Sequence, residues 1–211
     1  MSVSRGDSVD ILETERLLLR PLAMTDLDEI HRLLDLDIQW AGPDFPLSRR
    51  RDRLQLHVSL AQWDDTGRIY GNRALVLKPA GPIIGIVGLH PDLWVPAWKA
   101  VFWPLLLAWP ADDPGLACAS LELGIGYVLG TVYRGQGYAA EAARAVLDHA
   151  LVELRVGRVF AITDRANTDS LRLMQRVGMR TVRNPDPAVV YPGAVGVIEN
   201  PALTPDRGAG S

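Results

Sequence analysis

One cysteine, Cys118, stands alone among 211 residues, so no internal disulfide can be drawn. His31, His57, His90 and His149 are too scattered to complete a zinc pattern around it, and no metal site is expected. Excess charge of one sign is also missing. A formal net charge of -3 argues against general nucleic-acid binding, which needs a basic surface. Long apolar runs are absent too. The greasiest stretch, Val101 to Trp109, is short and broken by Pro104, and the opening MSVSRGDSVD has no apolar signal core. Neither a membrane span nor a secretory leader is therefore expected, and a cytoplasmic location follows. With 48% hydrophobic and 22% charged residues, what is present reads as one ordinary globular domain of the α/β or α+β kind.

Residues 1–12 and 200–211 are polar or rich in Gly and Pro and read as flexible ends around a domain over 13–199. The run from Glu15 to Leu22 is a short strand closed by Pro21. Thr25 then offers a helix cap, with Asp26 and Asp28 in the first turn and Leu27, Ile30, Leu33 and Leu34 at helical spacing. Ser48 can cap a second helix through Leu54 to Ala61. Arg73 to Lys78 and Ile83 to Leu89 read as strands joined by a hairpin turn at Pro79, Gly81 and Pro82.

Residues 90–120 hold four of the six tryptophans, Trp94, Trp98, Trp103 and Trp109, and are too punctuated by proline for one helix. This insertion reads as a lid over substrate, as a subunit interface in a homodimer, or as a loop packed on the core. A strand from Leu121 follows. The chain then alternates a helix from Gly137 to Arg155, a strand from Arg158 to Asp164, a helix from Thr168 to Val177 stopped by Gly178, and two short strands at Thr181 to Arg183 and Val195 to Ile198.

Chemistry concentrates in RGQGYAAEA. Arg134, Gly135, Gln136, Gly137, Tyr138 and Ala139 sit between a strand and a helix start. Glycines there let the backbone turn sharply and aim successive N–H groups at one anion, while the helix dipole adds partial positive charge. A diphosphate suits such a nest; a plain strand-to-helix turn is the structural alternative. Gly135, Gly137 and Ala140 also satisfy the dinucleotide form G-x-G-x-x-A, so a Rossmann-like protein is a rival, with Asp164 as its ribose-binding acid. That acid comes later in the chain than the fingerprint requires, and little chain remains to complete a doubly wound sheet.

On these residues the chain resembles the GNAT superfamily of acetyltransferases, particularly the branch that includes the ribosomal-protein N-terminal acetyltransferases and related small-molecule enzymes. The family signature R-x-x-G-x-A falls on Arg134, Gly137 and Ala139, and its second cofactor-side helix on Asn167, Ser170, Leu173, Met174, Gly178 and Met179. The resemblance implies a central, mostly antiparallel twisted sheet with one splayed strand pair, flanked by helices. It implies acetyl-CoA as co-substrate, held between the bulged strand through Tyr127, Val128 and Leu129 and the strand ending at Asp164. Amides near Val128 and Leu129 would polarise the thioester carbonyl, and losing one such donor typically costs about 2.7 to 4 kcal/mol. Asn167 and Ser170 would lie beside the thiol.

The acceptor implied is a primary amine, on a peptide N-terminus or a small molecule, which attacks directly in a ternary complex. A lysine-like amine with a pKa of about 10.4 costs about 4 to 5 kcal/mol to deprotonate at neutral pH, against about 1 to 1.5 for an α-amine. Glu122 is the best-placed carboxylate to accept that proton, unless it is merely paired with a nearby basic group. Met174 stands where the family often has a tyrosine acid, which leaves Ser170 to protonate the leaving thiolate, with Tyr191 a second choice. Arg172 and Arg176 lie four apart on one helix, so Arg176 is a candidate for a cofactor phosphate, against a solvated basic face. Without the tyrosine, an acyl-CoA-binding module that does not turn over stays open as well.

Overall fold

The computed structural model describes residues 11–39, 52, 55, 71–189 and 191–203. Eight strands form a sheet in the order β1-β2-β3-β4-β5-β6-β8-β7. They are β1 Leu12–Glu13, β2 Leu17–Pro21, β3 Gly71–Leu77, β4 Ile83–Trp94, β5 Ser120–Leu129, β6 Arg158–Thr163, β7 Arg180–Arg183 and β8 Ala194–Glu199. The pairs β1/β2, β2/β3, β6/β8 and β7/β8 are antiparallel, and β5/β6 is parallel with Gly124 opposite Phe160. A dinucleotide-binding fold needs a doubly wound parallel sheet, so the Rossmann alternative does not describe this chain.

The chain divides into two compact units, and β4 and β5 contribute residues to each. In the first, residues 1–88 and 127–145, a 3-10 turn at Met24–Asp26 leads into helix α1, Leu27–His31, and a π-helical turn, Arg32–Asp37. The capping group is Asp26, not the anticipated Thr25: its carboxylate accepts the Ala23 N–H at 2.8 Å and is held by Arg20 at 2.6 and 2.8 Å. Leu22, Ile30, Leu33 and Leu34 close on Ala74, Ile83 and Ile86 of the sheet. The second helix anticipated from Ser48 lies, but for residues 52 and 55, outside the described residues.

The second unit comprises residues 89–126 and 146–211. Its core is built from the tryptophan-rich segment itself. Residues 90–120 divide into the end of β4, helix α2 at Pro96–Leu107 and a 3-10 turn at Pro114–Ala117. Proline opens α2 where its missing N–H is harmless, and a second one, Pro104, lies inside it. Trp94, Phe102, Trp103, Leu106 and Leu107 bury themselves against Phe160, Val195 and Val197. Of the three readings of this segment, the packed one matches this interior, although the segment is regular structure more than loop.

Helix α3, Tyr138–Asp148, carries the amphipathic pattern expected of it and runs on as a π-helical turn, His149–Glu153. Helix α4, Thr168–Arg176, is capped by Asn167, whose side-chain oxygen accepts the Ser170 N–H at 3.1 Å. Among the described residues no helix is long and apolar enough to cross a membrane.

Candidate active site

The glycine-rich loop lies wholly in the first unit. Gly135 and Gly137 have φ of 76° and 87°, in the left-handed region that side chains resist. A Cβ at Gly135 would meet nothing within 4 Å, so the backbone angle and not crowding requires glycine there. The first bond into the body of α3 runs from the Glu141 N–H to the Gly137 carbonyl at 3.1 Å. The amides of Tyr138, Ala139 and Ala140 precede this first bond into the helix body, the position at which a helix start attracts an anion.

Two contacts that sequence reading did not identify hold this loop. Thr131, at its start, donates its N–H at 2.9 Å and its hydroxyl at 2.6 Å to Asp37, and these bonds keep the Asp37 carboxyl below the usual carboxylate range. At its other end Arg16 donates to the Gln136 carbonyl at 3.0 Å, its guanidinium lies 4.4 Å from the centre of the Tyr138 ring, and it pairs with Glu141 at 2.6 Å. Glu141 also accepts the Thr14 hydroxyl at 2.6 Å and the Arg16 backbone N–H at 2.9 Å. Burial alone would raise its pKa, but these bonds and the Arg16 charge outweigh burial and lower it. Arg134, although exposed, donates its Nε–H to the Leu129 carbonyl at 3.3 Å. Val128, Leu129 and Arg134 to Ala139 thus belong to a single anchored segment.

Glu122, Asn167, Ser170 and Arg176 belong to the second unit. Leu121 is 72% exposed while Glu122 is 9% exposed, so alternation along β5 turns the acid inward. Arg158 explains why: it donates to both carboxylate oxygens at 2.9 and 3.1 Å, and Ser120 adds a third bond at 3.0 Å. The Arg158 guanidinium is itself 4.9 Å from the Trp103 ring centre. On α4, Asn167 is spent as the cap, Ser170 sits in the first turn partly exposed, and Arg172 pairs with Asp169 at 3.3 Å. Met174 is fully buried, with its sulfur 2.9 Å from where a Cβ at Gly196 would stand. The missing tyrosine is therefore a core position here.

A model of the acetyltransferase (GNAT) domain matches residues 16–180. The chain belongs to the GNAT acetyltransferase family. The GNAT match spans both the anchored loop and α4, and the mixed sheet flanked by helices is the fold of the family's solved structures. The protein named "Uncharacterized N-acetyltransferase YnaD" of Bacillus subtilis is 39% identical over 56 residues, 26% of this chain and 33% of that one. The GNAT chain thus aligns with about a third of that relative's length. The acetyltransferase from Agrobacterium tumefaciens has a TM-score of 0.62 at 24% identity, covering 94% of this chain and 99% of its own. RimL, a ribosomal L7/L12 α-N-protein acetyltransferase solved with coenzyme A, has a TM-score of 0.57 at 14% identity, covering 90% and 98%.

Proposed function

We propose that this GNAT chain moves the acetyl group of acetyl-CoA to a primary amine, on a peptide N-terminus or a small molecule, by direct attack in a ternary complex. The observation that carries the reading is the row of amides from Gly135 to Ala140, with two left-handed glycines and a helix start behind them. Such a row fits a diphosphate: it supplies donors and partial positive charge, and it has open space at Gly135. The amides of Gly135 to Ala139, with the side chains of Arg134, Gln136 and Tyr138 around them, would hold the phosphates. Those of Val128 and Leu129 would orient the thioester carbonyl. Acetyl-CoA, when bound, supplies an acyl group activated by its thioester.

The chain's own part is positioning and proton handling. Glu122 is the proposed proton acceptor for the amine; with Arg158 on both of its oxygens, it would act through an intervening water. Ser170 Oγ is the proposed proton donor to the departing sulfur, and Asn167 and Arg176 complete the proposed contacts of α4 with the co-substrate. The engaged Glu122 and the buried Met174 favour a second reading, an acyl-CoA-binding module without turnover.

Thermal-shift titration with coenzyme A and NAD, followed by thiol release with acetyl-CoA and a panel of amines, tests these readings. Coenzyme A at a hundred times its Kd is expected to add about 2.7 kcal/mol of stability, with no effect of NAD. Gly137→Glu, which sets a carboxylate in the anion row, is expected to abolish that gain. An unchanged coenzyme A affinity in this variant would place the ligand elsewhere, and binding without thiol release from any amine would favour the module.

A further inference from the structure

The glycine-rich loop does not follow β5 directly. A 3-10 turn, Thr131–Tyr133, lies between them, closed by the Tyr133 N–H on the Gly130 carbonyl at 3.0 Å and by the Arg134 N–H on the Thr131 carbonyl at 3.4 Å. The Thr131 N–H, first in that turn, has no acceptor within it. A side-chain oxygen on the preceding residue commonly caps such a start, but that residue is Gly130. Space explains the glycine: a Cβ there would stand 3.2 Å from Tyr133 Cδ2, 3.4 Å from Asp37 Oδ2 and 3.5 Å from Leu33 Cδ1. The cap therefore has to come from elsewhere in the chain.

Asp37 supplies it. Oδ2 accepts the Thr131 N–H at 2.9 Å and Oδ1 the Thr131 hydroxyl at 2.6 Å, so both carboxylate oxygens are committed to one residue 94 positions away. Asp37 ends the π-helical turn Arg32–Asp37, where the Ile38 N–H reaches back five residues to the Leu33 carbonyl at 3.1 Å. Widened turns of this kind are frequent at functional sites. Leu33 and Leu34 of the same turn are buried against Ala74, Ile83 and Ile86, which gives the carboxylate a fixed base. The two Thr131 bonds, with Arg134 and Arg32 adding positive charge nearby, hold the Asp37 carboxyl in its ionised form below the usual carboxylate range. From the turn the tie continues into the loop. The Gln136 side chain donates to the Val132 carbonyl at 3.1 Å, and Gln136 lies between the two left-handed glycines. Arg16 holds the same residue from the other side, at its backbone carbonyl.

We propose that Asp37 is a positioning residue for the glycine-rich loop: it caps the 3-10 turn in place of the side chain that Gly130 lacks, and through Val132 and Gln136 it fixes where the amides of Gly135 to Ala140 point. Its part is to set affinity for the anion at those amides, not to take part in group transfer. That the anion is the diphosphate of coenzyme A rests on the acetyl-transfer reading above; the hold of Asp37 on the loop's conformation does not.

Two measurements on the full chain test this: amide hydrogen exchange without ligand, and isothermal titration with coenzyme A and with pantetheine, which lacks the diphosphate. Asp37 is exposed, so its replacement leaves the core in place. Asp37→Ala is expected to speed exchange at Thr131, Tyr133 and Arg134, the bonded amides of the turn, at least tenfold, with α3 beyond Glu141 unmoved. The same variant is expected to raise the Kd of coenzyme A about tenfold and to leave that of pantetheine within twofold of the parent. Asp37→Asn, which keeps one acceptor oxygen, is expected to recover part of the lost affinity. In a Thr131→Val background, where one of the two bonds is already gone, Asp37→Ala is expected to cost less than it does in the parent. Unchanged exchange in the turn, a coenzyme A Kd within twofold of the parent, or equal losses for coenzyme A and pantetheine in Asp37→Ala would overturn the positioning role. Failure of the parent to bind coenzyme A while exchange still depends on Asp37 would instead count against the acetyl-transfer reading alone.

Discussion

Arg16 and Glu141 carry more of the loop's geometry than any glycine in it. Glycine permits the left-handed turns at 135 and 137, but permission does not choose one conformation. The choice is made by Arg16, which ties the Gln136 carbonyl, the Tyr138 ring and the Glu141 carboxylate to the N-terminal strand region. Arg16 is partly exposed, so solvent screening reduces what the pair contributes, and Glu141→Gln is expected to cost about 1 to 2 kcal/mol at neutral pH. The lowered pKa of Glu141 fixes the sign of its pH dependence: the contribution is complete above the unfolded value of about 4.3 and is lost as pH falls through the folded value. Melting curves of the parent and Glu141→Gln should therefore differ most above the unfolded value and converge only as pH falls through the lowered folded one. Arg16→Ala should raise KM for acetyl-CoA more than it lowers kcat, because it loosens the loop proposed to hold the phosphates without touching reacting atoms.

At the scale of elements, β5 and α4 each carry a side chain whose packing competes with a chemical role. Breaking the Glu122–Arg158 pair between β5 and β6 strands a largely buried guanidinium, so Glu122→Gln is expected to lose about 3 kcal/mol of stability. A fall in kcat beyond a hundredfold in the folded variant supports Glu122 as proton acceptor; a stability loss with kcat within threefold of the parent makes it an ion-pair partner. On α4, Met174 fills space against Gly196 of β8. Met174→Tyr, which restores the residue common in the family, is expected to lose about 1 to 3 kcal/mol by overpacking and to leave kcat no higher. Calorimetry with steady-state kinetics reads both substitutions. The spacing that defines α3 and α4 was legible because apolar residues at three- and four-residue intervals, a capping Asn167 and a terminal Gly178 are all local signals. Helix α2 was not, because Pro104 sits inside it and its apolar residues do not keep to one face; the tertiary core selects the stripe Lys99, Phe102, Trp103, Leu106 and Leu107 for burial and leaves Leu105 exposed.

Over the whole molecule, the family and the glycine-rich turn into α3 could be read from spacing, whereas the charge network could not. Arg16 pairs across 125 positions, Asp37 with Thr131 across 94 and Glu122 with Arg158 across 36. No periodicity reports such pairings, since each depends on which strands and helices become neighbours. The amino-acid order by itself determined where backbone turns and helix starts fall, because those depend on residues within a turn or two. Tertiary structure alone decided which partner neutralises each carboxylate, because electrostatic energy depends on distance and burial in space, not on separation along the chain.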